Sequence, residues 1–529
     1  MTEKSLFWAD QVAADVVKQW AVPSYRTEMG IGASGIPHIG SAGDGVRSYA
    51  VALGIRALGK ESELIAYSDD QDGLRKVPEG FPPGLEEEIG KPVSRIPDPF
   101  GCHGSFALHV SSLLTEAFEK LGVAFSLRRG SEEYRKGTLD REVREILTHW
   151  KKAGEIIREV TGSGKFLDRL PFLPICQSCG RVYTTRALEF LPREKAVRYA
   201  CDQEFVGKAS GREVLVKGCG SSGKVGIREG KLAWKVEFAA RWKALDIHFE
   251  SYGKDILDSV RCNDRICREI LGRDPPVHAF YELFTERGGR KISKSKGNVF
   301  TPQRWLEVAS PESLRLLFLK RLGMSRVVDL DAIPAFMDEV DALEKLYFGK
   351  IREENERELA HKKRLFEFVH FLQPPKSPGL TMGYQSLASL ASSLPAEGRE
   401  AVVRKLLLES GALGKPGSEG SEQLRKRIAY ASRFAGAEKV SSLKLTLSPQ
   451  EKKALAHLLE ALNAPGSAEE IQQAAFSAAK SQGIPAGKFF PLLYRILLGT
   501  DSGPKAGHLI EALGRERVRG LLQARLRKK

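Results

Sequence analysis

The spacing of apolar residues predicts alternating helices and strands in the first part of the chain. Residues 6–20 place apolar side chains at helical spacing, and residues 25–29 form a strand candidate. A glycine-rich turn, 30–35, leads into a helix through 46–58, and a second strand candidate, 63–67, ends in a cluster of aspartates. This succession is typical of a doubly wound parallel sheet, whose functional loops lie at the carboxyl ends of the strands. Both the glycine turn and the aspartates are expected at that edge.

From about residue 331 onward the pattern becomes helical throughout. A proline-rich stretch, 374–379, is the clearest linker. Helical spacing recurs in six segments, which are 337–348, 399–408, 421–434, 449–462, 468–479 and 511–526. The last third of the chain is therefore predicted to be all-α.

Charge adds a candidate partner to this picture. The chain has 529 residues and a formal net charge of +15, and residues 401–529 contain 22 Lys and Arg against 11 Asp and Glu. Clustered cations favour a polyanion such as RNA, although a solvated basic tail is the alternative. The first ten residues lack the pattern of a secretion signal, and no apolar run reaches the roughly 18 residues that cross a bilayer. A cytoplasmic protein without membrane contact is expected.

Two short segments carry the candidate chemistry. Residues 35–41 (Gly-Ile-Pro-His-Ile-Gly-Ser) follow the first strand candidate, where glycines and a helix N-terminus allow close approach of a phosphate. Residues 291–298 (Lys-Ile-Ser-Lys-Ser-Lys-Gly-Asn) form a basic loop whose ammonium groups can neutralise a reacting triphosphate. Taken singly, the first is a weak motif and the second resembles a solvated surface loop.

Together, and in this order, the two segments resemble the signature motifs of class I aminoacyl-tRNA synthetases, His-Ile-Gly-His and Lys-Met-Ser-Lys-Ser. Each differs from the signature at one position. Further segments are similar to class I lysyl-tRNA synthetases, with the resemblance dense from Tyr25 to Phe348; they are residues 75–78, 97–103, 230–236, 253–255, 281–282, 301–302 and 307–309.

The resemblance implies a fold and a division of labour along the chain. Residues 1–300 are expected to form a Rossmann-type α/β catalytic domain with a zinc-knuckle insertion at about 150–230. Residues 301–350 would be connecting helices that contact the tRNA stem, and 351–529 an all-helical anticodon-binding domain. The implied reaction is ATP-dependent aminoacylation of tRNA, with lysine on tRNA-Lys through a lysyl-adenylate. Lysine, ATP, Mg²⁺ and tRNA would be the partners of a monomeric protein.

The resemblance also assigns roles to individual residues. His38 would bind phosphates, Gly40 would let the nucleotide approach, and Lys291 and Lys294 would hold the leaving pyrophosphate, with Ser41 completing the catalytic set. The implied ATP-binding residues are Ser34, Gly35, Pro37, His38, Ile39, Gly40, Ser41, Asp255, Ile292, Ser293, Lys294 and Ser295. The implied amino-acid-binding residues are Gly30, Gly32, Trp234, Ile256 and Tyr281.

Two positions depart from the family pattern near the amino acid. Ile256 replaces a histidine, and Gly32 replaces a common threonine. They favour an alternative in which a synthetase-like adenylating enzyme uses another amino acid or a non-tRNA acceptor. A third alternative is a non-catalytic RNA-binding protein, which the retained His38 and the basic loop disfavour.

Two groups of residues are candidate metal ligands. Cys176, Cys179, Cys201 and Cys219 have a paired spacing that suits a tetrahedral structural zinc, and Cys219 replaces a ligand where the family has a histidine near Phe205. The second group is Asp98, Cys102, His103 and His109, for which the family resemblance also implies zinc. Buried cysteines and a hydrogen-bonded loop are the respective alternatives.

Overall fold

The computed structural model describes residues 7–285, 300–378, 383–394, 399–409, 420–437, 447–499, 501 and 503–527. Its elements up to residue 161 are, in chain order, α1 (Trp8–Gln19), β1 (Ser24–Ile31), α2 (Ile39–Ala57), β2 (Glu61–Ser68), α3 (Phe106–Lys120), β3 (Ser126–Arg129), α4 (Gly130–Lys136), α5 (Asp140–Thr148) and α6 (Trp150–Thr161). The following elements are β4 (Phe172–Pro174), β5 (Arg186–Leu191), β6 (Ala196–Ala200), β7 (Glu204–Ala209), β8 (Arg212–Lys217), β9 (Ser222–Gly226), β10 (Gly230–Leu232), α7 (Trp234–Ala244), β11 (Phe249–Gly253), α8 (Leu257–Glu269), β12 (Val277–Tyr281) and β13 (Phe284–Thr285).

A five-stranded parallel sheet with the order β12-β11-β1-β2-β3 is the scaffold of this part. β1 pairs with β2 along its whole length, from Ser24 opposite Glu61 to Ile31 opposite Ser68. The chain builds outward from β1 to β2 and β3 on one side, and from β11 to β12 on the other. The doubly wound sheet predicted from the sequence is confirmed, and both strand candidates lie inside β1 and β2.

Burial of α2 explains why the sheet forms here. Val46, Ala50 and Ile55 of this helix are fully buried, as is Met29 on β1. A parallel sheet is stable only when helices cover its faces, so the strands and the helix that covers them both have apolar side chains where they meet. The helix begins at Ile39, immediately after the glycine turn, and its first residues therefore lie beside the carboxyl end of β1.

The predicted insertion is a set of small antiparallel sheets between α6 and α7. β5, β6 and β9 form a three-stranded sheet, β7 and β8 a hairpin, and β4 pairs with β10. Cys176 and Cys201 pack with Tyr199 and Val225 in a small buried cluster of this region. Cys176 and Cys201 therefore belong to the core of the insertion, whereas Cys219 is exposed.

The remaining elements are helical apart from one two-residue strand. They are α9 (Pro302–Val308), α10 (Pro311–Leu319), β14 (Arg326–Val327), α11 (Ile333–Tyr347), α12 (Glu356–Val369), α13 (Tyr384–Ser393), α14 (Arg399–Glu409), α15 (Gly420–Ala437), α16 (Pro449–Ala461), α17 (Ala468–Ser481), α18 (Ala486–Leu498), α19 (Ala506–Leu513) and α20 (Arg515–Arg527). From Ile333 to Arg527 the described residues contain helices and connections only, which confirms the all-α prediction.

One predicted helix is wrong in this region. The segment 511–526 was expected to be continuous, but Gly514 separates α19 from α20 with a φ of +82°. Glycine adopts this left-handed conformation without steric cost, so the chain turns between two helices.

The chain divides into two compact units. The sheet unit comprises Met1–Gln303, Arg315–Asp329 and Glu356–Pro374, and the helical unit comprises Arg304–Leu314, Leu330–Asn355 and Pro375–Lys529. These divisions differ from the expected boundaries at 300 and 350, because α12 packs on the sheet unit. Arg364 of α12 binds both carboxylate oxygens of Asp10 on α1, at 2.7 and 2.9 Å. No described helix is long and apolar enough to span a membrane.

Candidate active site

A cavity of about 220 Å³ opens at the carboxyl ends of β1 and β11. These neighbouring strands connect to the rest of the sheet in opposite directions, so the cavity lies at the point where the winding reverses. Its lining includes Gly30, Gly32, His38, Gly40, Ser41, Trp234, Asp255, Ile256 and Tyr281, all expected from the sequence. The structure thus gathers residues from distant parts of the chain around one space.

His38 caps the N-terminus of α2. Its Nδ1 accepts a hydrogen bond from the backbone N–H of Ser41 at 3.3 Å. With Nδ1 as the acceptor, the proton of the neutral ring belongs on Nε2, which makes that nitrogen a donor. A Cβ at Gly40 would lie 2.9 Å from the His38 ring, so only glycine leaves the imidazole its position. The motif therefore sets the orientation of the ring and the tautomer of its neutral form.

The other predicted nucleotide-binding residues surround this cap or lie outside the described part. Ser34, Gly35 and Pro37 belong to the turn before α2, and Ile39 donates its N–H to Phe300 O at 2.9 Å. Pro37 and Ile39 are buried, and none of these four lines the cavity. Lys291, Ile292, Ser293, Lys294 and Ser295 lie outside the described residues.

Asp44 joins the site unexpectedly, because a motif search has no reason to select it. The hydroxyl of Tyr281 on β12 donates a hydrogen bond to this carboxylate on α2. The guanidinium of buried Arg47 lies 3.9 Å from the Tyr281 ring centroid, and burial lowers the pKa of Arg47 to about 10. Tyr281 is therefore fixed on its face by a cation and at its hydroxyl by an anion.

A buried ion cluster forms the acidic wall of the cavity. Arg241 of α7 binds Glu28 on β1, Asp69 after β2 at 3.3 Å and Glu250 on β11 at 3.1 Å. Burial raises the pKa of Asp69 to about 7, and Arg241 opposes that shift. Three carboxylates against one guanidinium leave an excess of negative charge when all are ionised. Asp69, Arg241 and Glu250 all face the cavity.

A second buried ion cluster joins Lys231 to carboxylates of the loop after β2 and of α7. The Lys231 ammonium is 1% exposed and lies 2.5 Å from Asp72 and 2.6 Å from Glu237. Tyr134 donates its hydroxyl proton to Glu237 at 2.9 Å. Because a buried charge is costly unless it is paired, these contacts lock the loop after β2 against α7.

Aromatic and aliphatic side chains form the other wall. Trp234 and Phe238 on α7 have ring centroids 5.5 Å apart, and both line the cavity with Ile256. Asp255 and Ile256 lie in the single turn Lys254–Ile256 that follows β11. The cavity therefore presents a carboxylate near the strand ends and an apolar surface beside it.

The four predicted knuckle cysteines lie together. The sulfurs of Cys176 and Cys219 are 3.6 Å apart, those of Cys179 and Cys201 are 3.7 Å apart, and all four lie within 4.8 Å of one another. A tetrahedral zinc with sulfur bonds of about 2.3 Å separates its sulfurs by roughly 3.8 Å. The donor set and its spacing fit this ion.

The second predicted metal group is also gathered. Cys102 Sγ lies 3.1 Å from His103 Nδ1 and 3.2 Å from His109 Nδ1, and Asp98 Oδ1 is 3.4 Å from His109 Nδ1. One carboxylate, one thiol and two imidazoles within 4.8 Å are a donor set suited to zinc.

Comparison with known proteins places the chain in a family. The description "tRNA synthetases class I (K)" matches residues 6–371, and "Anticodon binding domain" matches residues 423–528. The chain therefore belongs to the class I tRNA synthetases of the K family. It is 44% identical to a lysine–tRNA ligase of Cenarchaeum symbiosum, with 98% of each chain covered. It is 30% identical to a lysine–tRNA ligase of Archaeoglobus fulgidus, over 98% of this chain and 100% of the relative.

Proposed function

We propose that this protein is a lysine–tRNA ligase, which activates lysine with ATP in the cavity between β1 and β11 and then transfers it to tRNA. The observation that carries the proposal is the convergence of the His38 cap, the acidic cluster around Arg241 and the Trp234–Tyr281 walls on one space. Relatives over nearly the full chain bear the name lysine–tRNA ligase, which supports lysine as the amino acid.

ATP would bind with its phosphates at the N-terminus of α2. The helix dipole and the Nε2 proton of His38 both favour an anion there. Gly40 and Ser41 follow His38, and Asp255 would hold the ribose by hydrogen bonds. Lys291 and Lys294 would neutralise the pyrophosphate as it leaves. Mg²⁺ bound with ATP would supply further charge neutralisation.

Lysine would lie against the acidic wall. Its two ammonium groups would lie at Asp44 and Asp69, two of the carboxylates that line the cavity, and a bound ammonium would stabilise the ionised form of Asp69. Gly30 and Gly32 would leave space for its backbone, while Trp234, Tyr281 and Ile256 cover the aliphatic stem. Ile256 would add apolar contact at the position where the family pattern has a histidine.

The chemistry needs no protein nucleophile. A carboxylate oxygen of lysine attacks the α-phosphorus of ATP, the bond to pyrophosphate breaks, and lysyl-adenylate forms. A hydroxyl of the terminal tRNA ribose then attacks the lysyl carbonyl, AMP leaves, and the hydroxyl proton goes to solvent. Catalysis consists of positioning and charge stabilisation, which suits a site built from ion pairs and caps.

The helical unit would bind the anticodon arm of tRNA. Two observations support this role: residues 423–528 match an anticodon-binding domain, and Lys and Arg outnumber Asp and Glu after residue 401. The residues 301–350 would contact the acceptor stem, and we expect a monomer in the cytoplasm.

Two groups of side chains in the sheet unit would each bind a zinc ion. Cys176, Cys179, Cys201 and Cys219 would bind one ion that supports the insertion, and Asp98, Cys102, His103 and His109 a second. The sulfur distances of 3.6 and 3.7 Å in the first group support this, since sulfurs around a tetrahedral zinc lie roughly 3.8 Å apart.

The test is pyrophosphate exchange with each of the twenty amino acids, run with and without tRNA, followed by charging of tRNA-Lys. We expect exchange with lysine and stable lysyl-tRNA. Exchange with a different amino acid would make the alternative adenylating enzyme correct. Tight tRNA binding without any exchange or charging would indicate a non-catalytic RNA-binding protein.

A further inference from the structure

Arg47 on α2 is a buried cation that the proposed reaction does not use. Its side chain is 2% exposed, and within the described part of the chain its Nε and Nη1 atoms have no hydrogen-bond partner. Burial lowers the pKa of Arg47 to about 10, the carboxylate of Asp44 opposes that shift, and Arg326 adds to it. The guanidinium therefore stays charged at neutral pH. Because a buried charge is costly unless it is compensated, its surroundings must supply another favourable contact.

Three aromatic rings supply that contact. The Cζ atom of Arg47 lies 3.9 Å from the ring centroid of Tyr281, 5.7 Å from that of Phe284 and 5.9 Å from that of Phe318. A cation near an aromatic face is attracted by the quadrupole of the ring, and the attraction is stronger where water is excluded. We call these three rings the aromatic cage.

The sequence of α2 leaves room for the guanidinium. Gly43 lies one helical turn before Arg47, and a Cβ atom at Gly43 would lie 2.7 Å from Arg47 Nη1 and 3.1 Å from Phe318 Cδ1. Both distances are too short for a side chain at this position. The glycine therefore lets the cation and the Phe318 ring approach the helix backbone.

The aromatic cage joins one wall of the active-site cavity to the helix that His38 caps. Tyr281 ends β12 and Phe284 begins β13, and both line the cavity, whereas Arg47 does not. Tyr281 also donates its hydroxyl proton to Asp44, which precedes Arg47 by three residues on α2. Arg47 thus acts on the cavity through the rings that it contacts.

We propose that Arg47 is a positioning residue of the amino-acid site, which holds Tyr281 against α2 so that its ring covers the stem of the bound amino acid. The inference rests on the proposed function, in which Tyr281 contacts lysine. A ring fixed on its face by Arg47 and at its hydroxyl by Asp44 keeps one orientation before the substrate arrives. Because such preorganisation lowers the cost of binding, its loss should change the affinity for lysine more than the turnover.

The test compares lysine-dependent pyrophosphate exchange, at saturating tRNA, in wild type, Arg47→Met and Arg47→Lys. Methionine removes the cation, and lysine keeps a cation that cannot lie flat on the ring. We expect Arg47→Met to raise the KM for lysine about tenfold and to change kcat less than about threefold, since a desolvated contact between a cation and a ring is worth about that much. Arg47→Lys should raise this KM about threefold. The KM for ATP should change less than about twofold in both variants.

Arg315→Met is the matched control. The Arg315 guanidinium lies 4.3 Å from the ring centroid of Phe371 in the same unit, and Arg315 does not line the cavity. Its replacement should lower the melting temperature while the KM for lysine stays at the wild-type value.

A double-mutant cycle tests whether Arg47 acts through the ring. In a Tyr281→Leu background the ring is absent, so Arg47→Met should raise the KM for lysine less than about twofold further. If Arg47→Met does not fold, the same cycle is run with Arg47→Lys, whose threefold effect should disappear in that background.

Three results would overturn the role of Arg47 in a wild-type protein that activates lysine. They are an unchanged KM for lysine in the Arg47 variants that fold, an equal rise of this KM in Arg315→Met, and a full effect of the Arg47 substitution in the Tyr281→Leu background. A wild-type protein that neither activates lysine nor charges tRNA with it would instead overturn the proposed function, and with it the role of Tyr281 on which this inference rests.

Discussion

The two units differ in how many charged side chains they bury. Among the described residues, the buried charged side chains lie in the sheet unit, with Asp341 of the helical unit as the exception. Arg241 and Lys231, each 1% exposed, are surrounded by carboxylates close to the active-site cavity. The helical unit has its charge on exposed helix faces such as that of α20, where Arg517 and Arg527 are exposed.

The difference follows from what each unit would have to bind. A buried ion pair holds a few atoms in fixed positions and excludes water, which suits the alignment of small reactants. Exposed cations act together over a long surface and tolerate small displacements, which suits the phosphates of RNA. On the proposed function, buried Lys and Arg of the sheet unit would fix the geometry of the site, and exposed Lys and Arg of the helical unit would supply affinity for tRNA.

The largest effect is expected from removal of the buried cation. Arg241→Met leaves Glu28, Asp69 and Glu250 without their common partner, so the sheet unit should lose about 3–5 kcal/mol of stability. Calorimetry of the unfolding transition measures it. The control is Arg265→Gln, which breaks exposed pairs to Glu159 and Glu269 and should cost less than about 1 kcal/mol. Equal losses of stability in the two variants would contradict the distinction between buried and exposed charge.

The exception in the helical unit offers a second test. Asp341 is 9% exposed and binds Arg427 through both carboxylate oxygens, one at 2.9 Å from Nη1. Asp341→Ala should destabilise the helical unit by about 2–3 kcal/mol, because Arg427 is left poorly solvated. Thermal unfolding followed by circular dichroism checks it, with Glu422→Ala on the exposed Lys426 pair as the control. A loss no larger than that of the control would contradict the interpretation.

A smaller effect concerns the pH dependence of lysine binding. Burial raises the pKa of Asp69 to about 7, while Arg241 and Lys231 act to lower it and Asp72 and Glu237 act to raise it. Above pH 7 the carboxylate is ionised and binds an ammonium, so the KM for lysine should fall as the pH rises through 7. Asp69→Asn should raise KM about tenfold at pH 8 and abolish this step. A pH profile unchanged by the substitution would refute the role.

The smallest effect is expected on the exposed helical surface. Arg517→Gln with Arg527→Gln removes two charges of α20 and should weaken tRNA binding a few-fold at low salt, with a correspondingly smaller salt slope. Lysine-dependent pyrophosphate exchange at saturating tRNA should be unaffected. An unchanged tRNA affinity and an unchanged salt slope would show that this face of α20 does not contact tRNA.

The sequence predicts the sheet and part of the site well, because both rest on local patterns. β1, the glycine turn and α2 are contiguous, so the position of His38 beside a strand end follows from their order. The break at Gly514 escapes prediction because a single glycine leaves the helical spacing of apolar residues intact on both sides. The expectation of one helix there depended on spacing alone.

The buried ion clusters could not be predicted for a different reason. Glu237 and Arg241 are four residues apart on α7, a spacing that usually indicates an exposed pair on a helix surface. Each has a partner that is distant in sequence: Tyr134 is 103 residues from Glu237, and Asp69 is 172 residues from Arg241. Only the tertiary structure shows that this helix face is buried and lines a cavity.

The central claim is that lysine and ATP react in the cavity between the ends of β1 and β11. A crystal structure with a non-hydrolysable lysyl-adenylate analogue tests it most directly. We predict that the analogue lies in this cavity, with its phosphate mimic at the N-terminus of α2 beside His38, its ribose at Asp255 and its ammonium groups at Asp44 and Asp69. An analogue bound elsewhere, or bound here with its lysyl group away from both carboxylates, would contradict the account.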